Sequence, residues 1–105
     1  MKISYLGTNT GAGPQPVIRH STNGDTVLDP KPSQKAWNHS PDGFQWGYEG
    51  SGPAQLALAI LLDITSDKER SVRLHQEFKR DKIATLDNNF VLTVNEIDAW
   101  LAEHP

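Results

Sequence analysis

Phe44-Gln45-Trp46-Gly47-Tyr48-Glu49-Gly50-Ser51-Gly52-Pro53-Ala54-Gln55-Leu56-Ala57-Leu58-Ala59-Ile60-Leu61-Leu62-Asp63-Ile64 is the stretch on which the fold turns. Phe44, Trp46 and Tyr48 alternate with the two-residue period of a strand. The alternation breaks at Gly50-Ser51-Gly52-Pro53, after which only Gln55 interrupts an apolar run from Ala54 to Leu62. Together these features predict a strand turning sharply into a helix. Ser51 or Gly52 is the expected N-cap, and Pro53 suits the first turn, where its missing N–H is not needed. A helix with no solvent face is a buried helix. This one falls short of the roughly 20 apolar residues that span a bilayer, so the rest of the chain must cover it.

With 105 residues there is room for one core, and the expectation is a single domain over residues 1–105. The absence of cysteine excludes a disulfide framework and a thiolate metal site. Met1-Lys2-Ile3-Ser4-Tyr5-Leu6 lacks the apolar run of a signal peptide, and a cytoplasmic protein is expected. A formal net charge of −3 argues against a protein whose main task is to neutralise phosphates, so direct nucleic-acid binding is not the expectation. The charge is unevenly spread. Lys68, Arg70, Arg73, Lys79, Arg80 and Lys82 cluster in one segment, whereas only acids (Asp87, Glu96, Asp98, Glu103) follow Lys82.

Upstream of the organising stretch the chain reads as short antiparallel strands. Ile3 and Tyr5 alternate with Lys2, Ser4 and Leu6, and a glycine-rich loop follows from Gly7 to Pro14. Val17-Ile18-Arg19-His20 and Thr26-Val27-Leu28 flank Asn23-Gly24, which predicts a hairpin with a type I′ turn. Asp29-Pro30-Lys31-Pro32 ends it. Ala36-Trp37 reads as a short strand or one turn of helix, and Asn38 to Gly43 as a structured turn in which Ser40 or Asp42 bonds a backbone N–H.

Downstream, Ser66-x-x-Glu69 has the form of a capping box and opens a helix running to about Lys82, with Val72, Leu74, His75 and Phe78 as its apolar stripe. After a turn at Asp87-Asn88-Asn89 and an extended Phe90-Val91-Leu92, a second box, Thr93-x-x-Glu96, opens a last helix. Its apolar positions are Val94, Ile97, Trp100 and Leu101. The fold class is therefore α+β: a small N-terminal antiparallel sheet packed on a buried central helix, with two further amphipathic helices.

The string Asn38-His39-Ser40-Pro41-x-Gly43-Phe44-x-Trp46-Gly47-Tyr48-x-Gly50-Ser51-Gly52-Pro53-Ala54-Gln55-Leu56-Ala57-Leu58-Ala59-Ile60-Leu61 resembles the signature of a family of small uncharacterised proteins of bacteria, archaea and phages. The resemblance extends to Tyr5-Leu6-Gly7, to Phe78-Lys79 and to Leu92-Thr93-x-x-x-Ile97-x-x-Trp100-Leu101. What it implies is a domain of unknown function, with a role in conflict between mobile elements and their hosts as a conceivable setting.

No catalytic constellation stands out. His20, His39, His75 and His104 show no pair at metal spacing, so neither a metal site nor a cofactor is expected. Gly50, Ser51 and Gly52 could hold a phosphate or carboxylate on the amides of a helix N-terminus, but no P-loop lysine follows, and a tight corner accounts for the glycines as well. If Phe44, Trp46 and Tyr48 share one strand face, that face is the core under the helix. The leading expectation is a non-enzymatic protein-interaction module, a phage or mobile-element modulator of host machinery, engaging a basic partner through Glu49, Asp87, Glu96, Asp98 and Glu103. Its alternatives are a small-ligand or nucleotide-binding domain at Gly50–Pro53 and a nucleic-acid contact through the basic segment.

Overall fold

A computed structural model describes residues 2–105. One four-stranded antiparallel sheet backs onto a layer of helices. β1 (Ile3–Thr8), β2 (Val17–Ser21) and β3 (Gly24–Val27) come from the first quarter of the chain. β4 (Asn89–Thr93) arrives from the far end and pairs with β1, giving the order β3-β2-β1-β4. The helices are α1 (Lys31–Ala36), α2 (Ser51–Thr65), α3 (Lys68–Phe78), which continues into a π-helical turn at Lys79–Ile83, and α4 (Val94–Ala102). The architecture is α+β with a buried central helix, as the sequence predicts.

Every residue of α2 from Pro53 to Leu61 is buried, Gln55 included. On one side of α2 lies the inner face of the sheet, with Ile3, Tyr5, Val17, Phe90 and Leu92. On the other, α3, the π turn and α4 contribute Leu74, Phe78, Ile83, Ile97, Trp100 and Leu101. Phe78 meets Trp100 edge to face at 5.0 Å, an arrangement that favours aromatic pairs beyond their simple burial. Near the end of α2, Asp63 accepts from the buried Tyr5 hydroxyl and from Arg19 Nε at 2.7 Å, tying the sheet to the helix with a polar clasp.

The aromatic stretch corrects the sequence reading, since residues 44–48 form no strand. Gly43 and Gly47 adopt φ values of 129° and 85°, which a strand does not use. A lone bridge from Gln15 to Phe44 and a bond from Gly47 N to the Ile83 carbonyl fasten the segment to two different parts of the chain. Phe44 and Trp46 enter the core, whereas Tyr48 is 50% exposed. Trp46 packs edge-on against Phe90 at 4.9 Å. Both rings crowd Gly7, where a Cβ would stand 2.5 Å from Phe90 and 2.7 Å from Trp46, so the strand passes there only as glycine.

Three local readings shift as well. The hairpin turn centres on Thr22-Asn23, because Ser21 pairs with Gly24. Gly24 alone takes the positive φ, at 121°, so no type I′ turn forms at Asn23-Gly24. Ser66 is the left-handed residue that closes α2, and α3 is capped one residue later by Asp67, whose side chain accepts from Arg70 N. The predicted box at Ser66-x-x-Glu69 therefore does not form, whereas the box at Thr93 and Glu96 is complete, with both reciprocal bonds present. Finally, Lys31 to Ala36 form a helix with Pro32 in its first turn, and Ala36-Trp37 marks its exit.

Candidate functional site

Gln55 is the only polar side chain in the buried run of α2, and its amide is fully used. Its Oε1 accepts from the backbone N–H groups of His39 at 2.7 Å and Ser40 at 2.9 Å, and its Nε2 donates to Ser33 Oγ and to the Trp37 carbonyl. One buried amide thus fastens the end of α1 and the turn after it onto the core. Neither the Ser40 nor the Asp42 side chain makes the expected bond within the turn; Gln55 supplies the anchor instead.

The anchored turn aims His39 at α3. Its Nε2 lies 2.8 Å from His75 Nε2, and His75 is wholly buried. His75 Nδ1 stands 2.6 Å from the Val72 carbonyl, which can only accept, so the His75 proton sits on Nδ1. His75 Nε2 is then an acceptor and His39 the donor, leaving a lone pair on His39 Nδ1. Burial lowers the pKa of His39 below its ordinary 6.5, and the charges of His75 and Lys79 push the same way. Burial also lowers that of His75, with Lys79 adding to the shift and the Val72 carbonyl opposing it. The pair is therefore held neutral near pH 7.

Trp37 lies over this pair. Its indole stacks on His39 at 4.9 Å and 16° and tilts against His75 at 5.5 Å, yet 51% of the residue is exposed. Next to it, between α1 and α3, is a hollow of about 480 Å³ lined by Ala36, Lys68, Glu69, Val72 and Arg73. The floor is apolar, and cations outnumber anions on its rim. A large aromatic side chain, immobilised beneath and open above, with charged neighbours, has the properties of an interface anchor.

The residues singled out in the sequence are dispersed. At the glycine corner the N-cap of α2 is Gly50, not the expected Ser51 or Gly52, which lie inside the helix, and no side chain bonds there. A Cβ on Gly50 would meet the Tyr48 ring at 2.6 Å, and one on Gly52 would meet Gln45 Cβ at 2.7 Å, so close packing accounts for both glycines, while Ser51 is exposed. Of the acidic set, Glu96 is occupied by its capping box, and Glu49 faces Lys79 at 3.8 Å. Asp87 lines a polar cleft with Tyr48 and Asn88, while Asp98 and Glu103 are exposed along and just after α4. Of the basic set, Arg70 Nη2 donates to the Leu101 and His104 carbonyls and Arg73 Nη1 to that of Pro105, so these cations fasten the end of the chain.

Among the described residues, Glu77, Asp81 and His104 bring potential metal-ligating atoms within 4.8 Å of one another. Trp100 orients two of them. Its Nε1 donates to Asp81 Oδ2 at 2.8 Å, and its carbonyl accepts from His104 Nδ1 at 2.7 Å, turning His104 Nε2 toward Glu77 Oε1 at 3.2 Å.

Sequence reasoning missed the meeting of His39 and His75, because a separation of 36 positions leaves no spacing to read. The available signal was Gln55, a polar residue that a buried helix retains only where partners exist for its amide.

A protein-family model matches the chain over residues 5–103, and the family is described as one of unknown function. No curated protein and no solved structure matches the chain.

Proposed function

Taking as premise that the chain belongs to that family of unknown function, DUF6166, we propose that it is a protein-interaction module whose docking site is Trp37 and the hollow between α1 and α3. The partner presents a short acidic segment bearing an apolar or aromatic side chain. The apolar group enters the hollow against Ala36 and Val72, the exposed Trp37 that follows Ala36 adds contact at its edge, and its carboxylates meet Lys68 and Arg73. The carrying observation is that Trp37 is half exposed yet rigidly stacked, so binding costs little side-chain ordering. In a phage or mobile element the partner held this way would be a host protein. This reading keeps the interaction function expected from the sequence and moves its centre from the scattered acids to the aromatic hollow.

Panning a random peptide library on the immobilised protein tests it. Enrichment of sequences with acids flanking an aromatic or aliphatic residue is expected. The selected peptides should lose binding by at least about 2 kcal/mol in Trp37→Ala and weaken with salt and in Lys68→Ala or Arg73→Ala. No enrichment, or peptides indifferent to Trp37→Ala, would refute the site. Nucleotides and inorganic phosphate, the ligands of the alternative at Gly50–Pro53, are the counter-screen: a rise in melting temperature that persists in Trp37→Ala would favour that alternative.

A further inference from the structure

We infer that Glu77, Asp81 and His104 form a binding site for a divalent transition-metal ion of the zinc type. Glu77 lies in the last turn of α3, Asp81 in the π-helical turn that follows it, and His104 just beyond α4. Single π turns within longer helices recur at functional sites. One imidazole nitrogen and two carboxylate oxygens, all within 4.8 Å of one another, make a donor set that suits zinc. Calcium and magnesium take oxygen ligands, so the imidazole selects against them. The histidine spacings of the sequence do not register this site, because it takes one histidine and two carboxylates.

The side chains are held in the orientation that coordination needs. A carbonyl only accepts, so the 2.7 Å contact between His104 Nδ1 and the Trp100 carbonyl fixes a hydrogen on Nδ1 and leaves Nε2 as the coordinating atom. This is the bond by which a protein commonly orients a metal-binding imidazole. The indole of the same Trp100 donates to Asp81 Oδ2 at 2.8 Å, which leaves that carboxylate with lone pairs to spare. Trp100 is itself buried, stacked on His104 at 3.9 Å and edge to face with Phe78 at 5.0 Å. One fixed residue thus positions two of the three ligands.

Distance and charge point the same way. His104 Nε2 and Glu77 Oε1 stand 3.2 Å apart. A hydrogen bond between charged groups closes to about 2.7–2.9 Å. Two ligand atoms at about 2.0–2.1 Å from one zinc ion, at a tetrahedral angle, stand about 3.3 Å apart. The observed separation therefore matches a shared ion more closely than a shared proton, and the exposed Asp81 closes on the same point by side-chain rotation. The nearby cations are engaged elsewhere: Arg70 donates to the Leu101 and His104 carbonyls and Arg73 to that of Pro105. Among the described residues neither Glu77 nor Asp81 pairs with a lysine or arginine. Two carboxylates at the negative end of α4 are thus left for a divalent ion.

Equilibrium dialysis of the full chain against micromolar zinc chloride in a buffer free of chelators tests the inference. One zinc ion per chain is expected, with a rise in melting temperature, since an ion that binds only the folded chain stabilises it. In nitrogen-15 NMR spectra the Nε2 resonance of His104 should move on zinc addition, while those of His20, His39 and His75 stay in place. Glu77→Gln and Asp81→Asn preserve side-chain size, and the new Asn still accepts from Trp100. Each should weaken zinc binding by at least about tenfold, the loss that follows even from removing a group that only orients a ligand. A chain that retains no zinc, zinc binding undiminished in the double variant Glu77→Gln, Asp81→Asn, or movement of another histidine in place of His104 would each overturn the proposal. Trp37→Ala should bind zinc as the natural chain does, which separates this site from the docking hollow.

Discussion

Gln55 shows how one residue can serve both the core and the surface. Its amide replaces water for the His39 and Ser40 N–H groups and for the Trp37 carbonyl, and it does so from a position with no solvent exposure. Gln55→Leu is close in volume but leaves those groups without partners, and each buried unsatisfied group costs about 1–3 kcal/mol. Urea denaturation of this variant should show a loss of at least about 2 kcal/mol, with Trp37 emission shifted to the red as its stack on His39 loosens. Unchanged stability would mean that the turn is fixed by something other than this amide. The need for a partner was legible from a lone polar residue in an apolar run. The identity of the partners was not, because a backbone N–H carries no sequence label.

Among the elements, the junction of α2 and α3 separates local signals that deceive from those that decide. Ser66 sits three residues before Glu69 and satisfies the capping-box pattern, yet it closes α2 with φ 53°, and Asp67 takes the cap of α3. The pattern fails because the residue that closes one helix in the left-handed region cannot also hold the extended backbone of an N-cap. Thr93, extended at φ −89° and ψ 155°, has no such conflict, and there the box forms as read. Asp67→Ala should therefore lower stability by about 1 kcal/mol. Ser66→Gly should leave it unchanged or raise it by up to about 1 kcal/mol, since glycine removes the left-handed penalty. Thermal denaturation of the two variants checks the order, and a larger loss at Ser66 would return the cap to that residue. The aromatic alternation at Phe44, Trp46 and Tyr48 misleads for a related reason: period two states which side chains share a direction only if the backbone is extended, and Gly43 and Gly47 are not.

At the scale of the whole molecule, the imidazole pair couples stability to pH. Both His39 and His75 have pKa values below the ordinary 6.5, with burial as the first cause and Lys79, which itself faces Glu49, contributing. An unfolded chain takes up protons at these residues near 6.5, whereas the folded pair takes them up only at lower pH. The stability they contribute is therefore complete above about pH 6.5 and declines as the pH falls through the folded values. The melting temperature should drop between about pH 7 and about pH 5, and the slope should flatten in His75→Gln. A wild-type profile that is flat over this window would remove the pair as the source. The sequence by itself determined the α+β class, a buried central helix beginning about Pro53, the last capped helix and the absence of a thiolate site, because each follows from the periodicity, capping chemistry or composition of a short contiguous run. Only the tertiary structure decided that β4 pairs with β1, that His39 meets His75 beneath an exposed Trp37, and that His104 converges on Glu77 and Asp81. These are contacts between segments far apart in the chain, selected by how the whole molecule buries its apolar surface, and no local spacing encodes them.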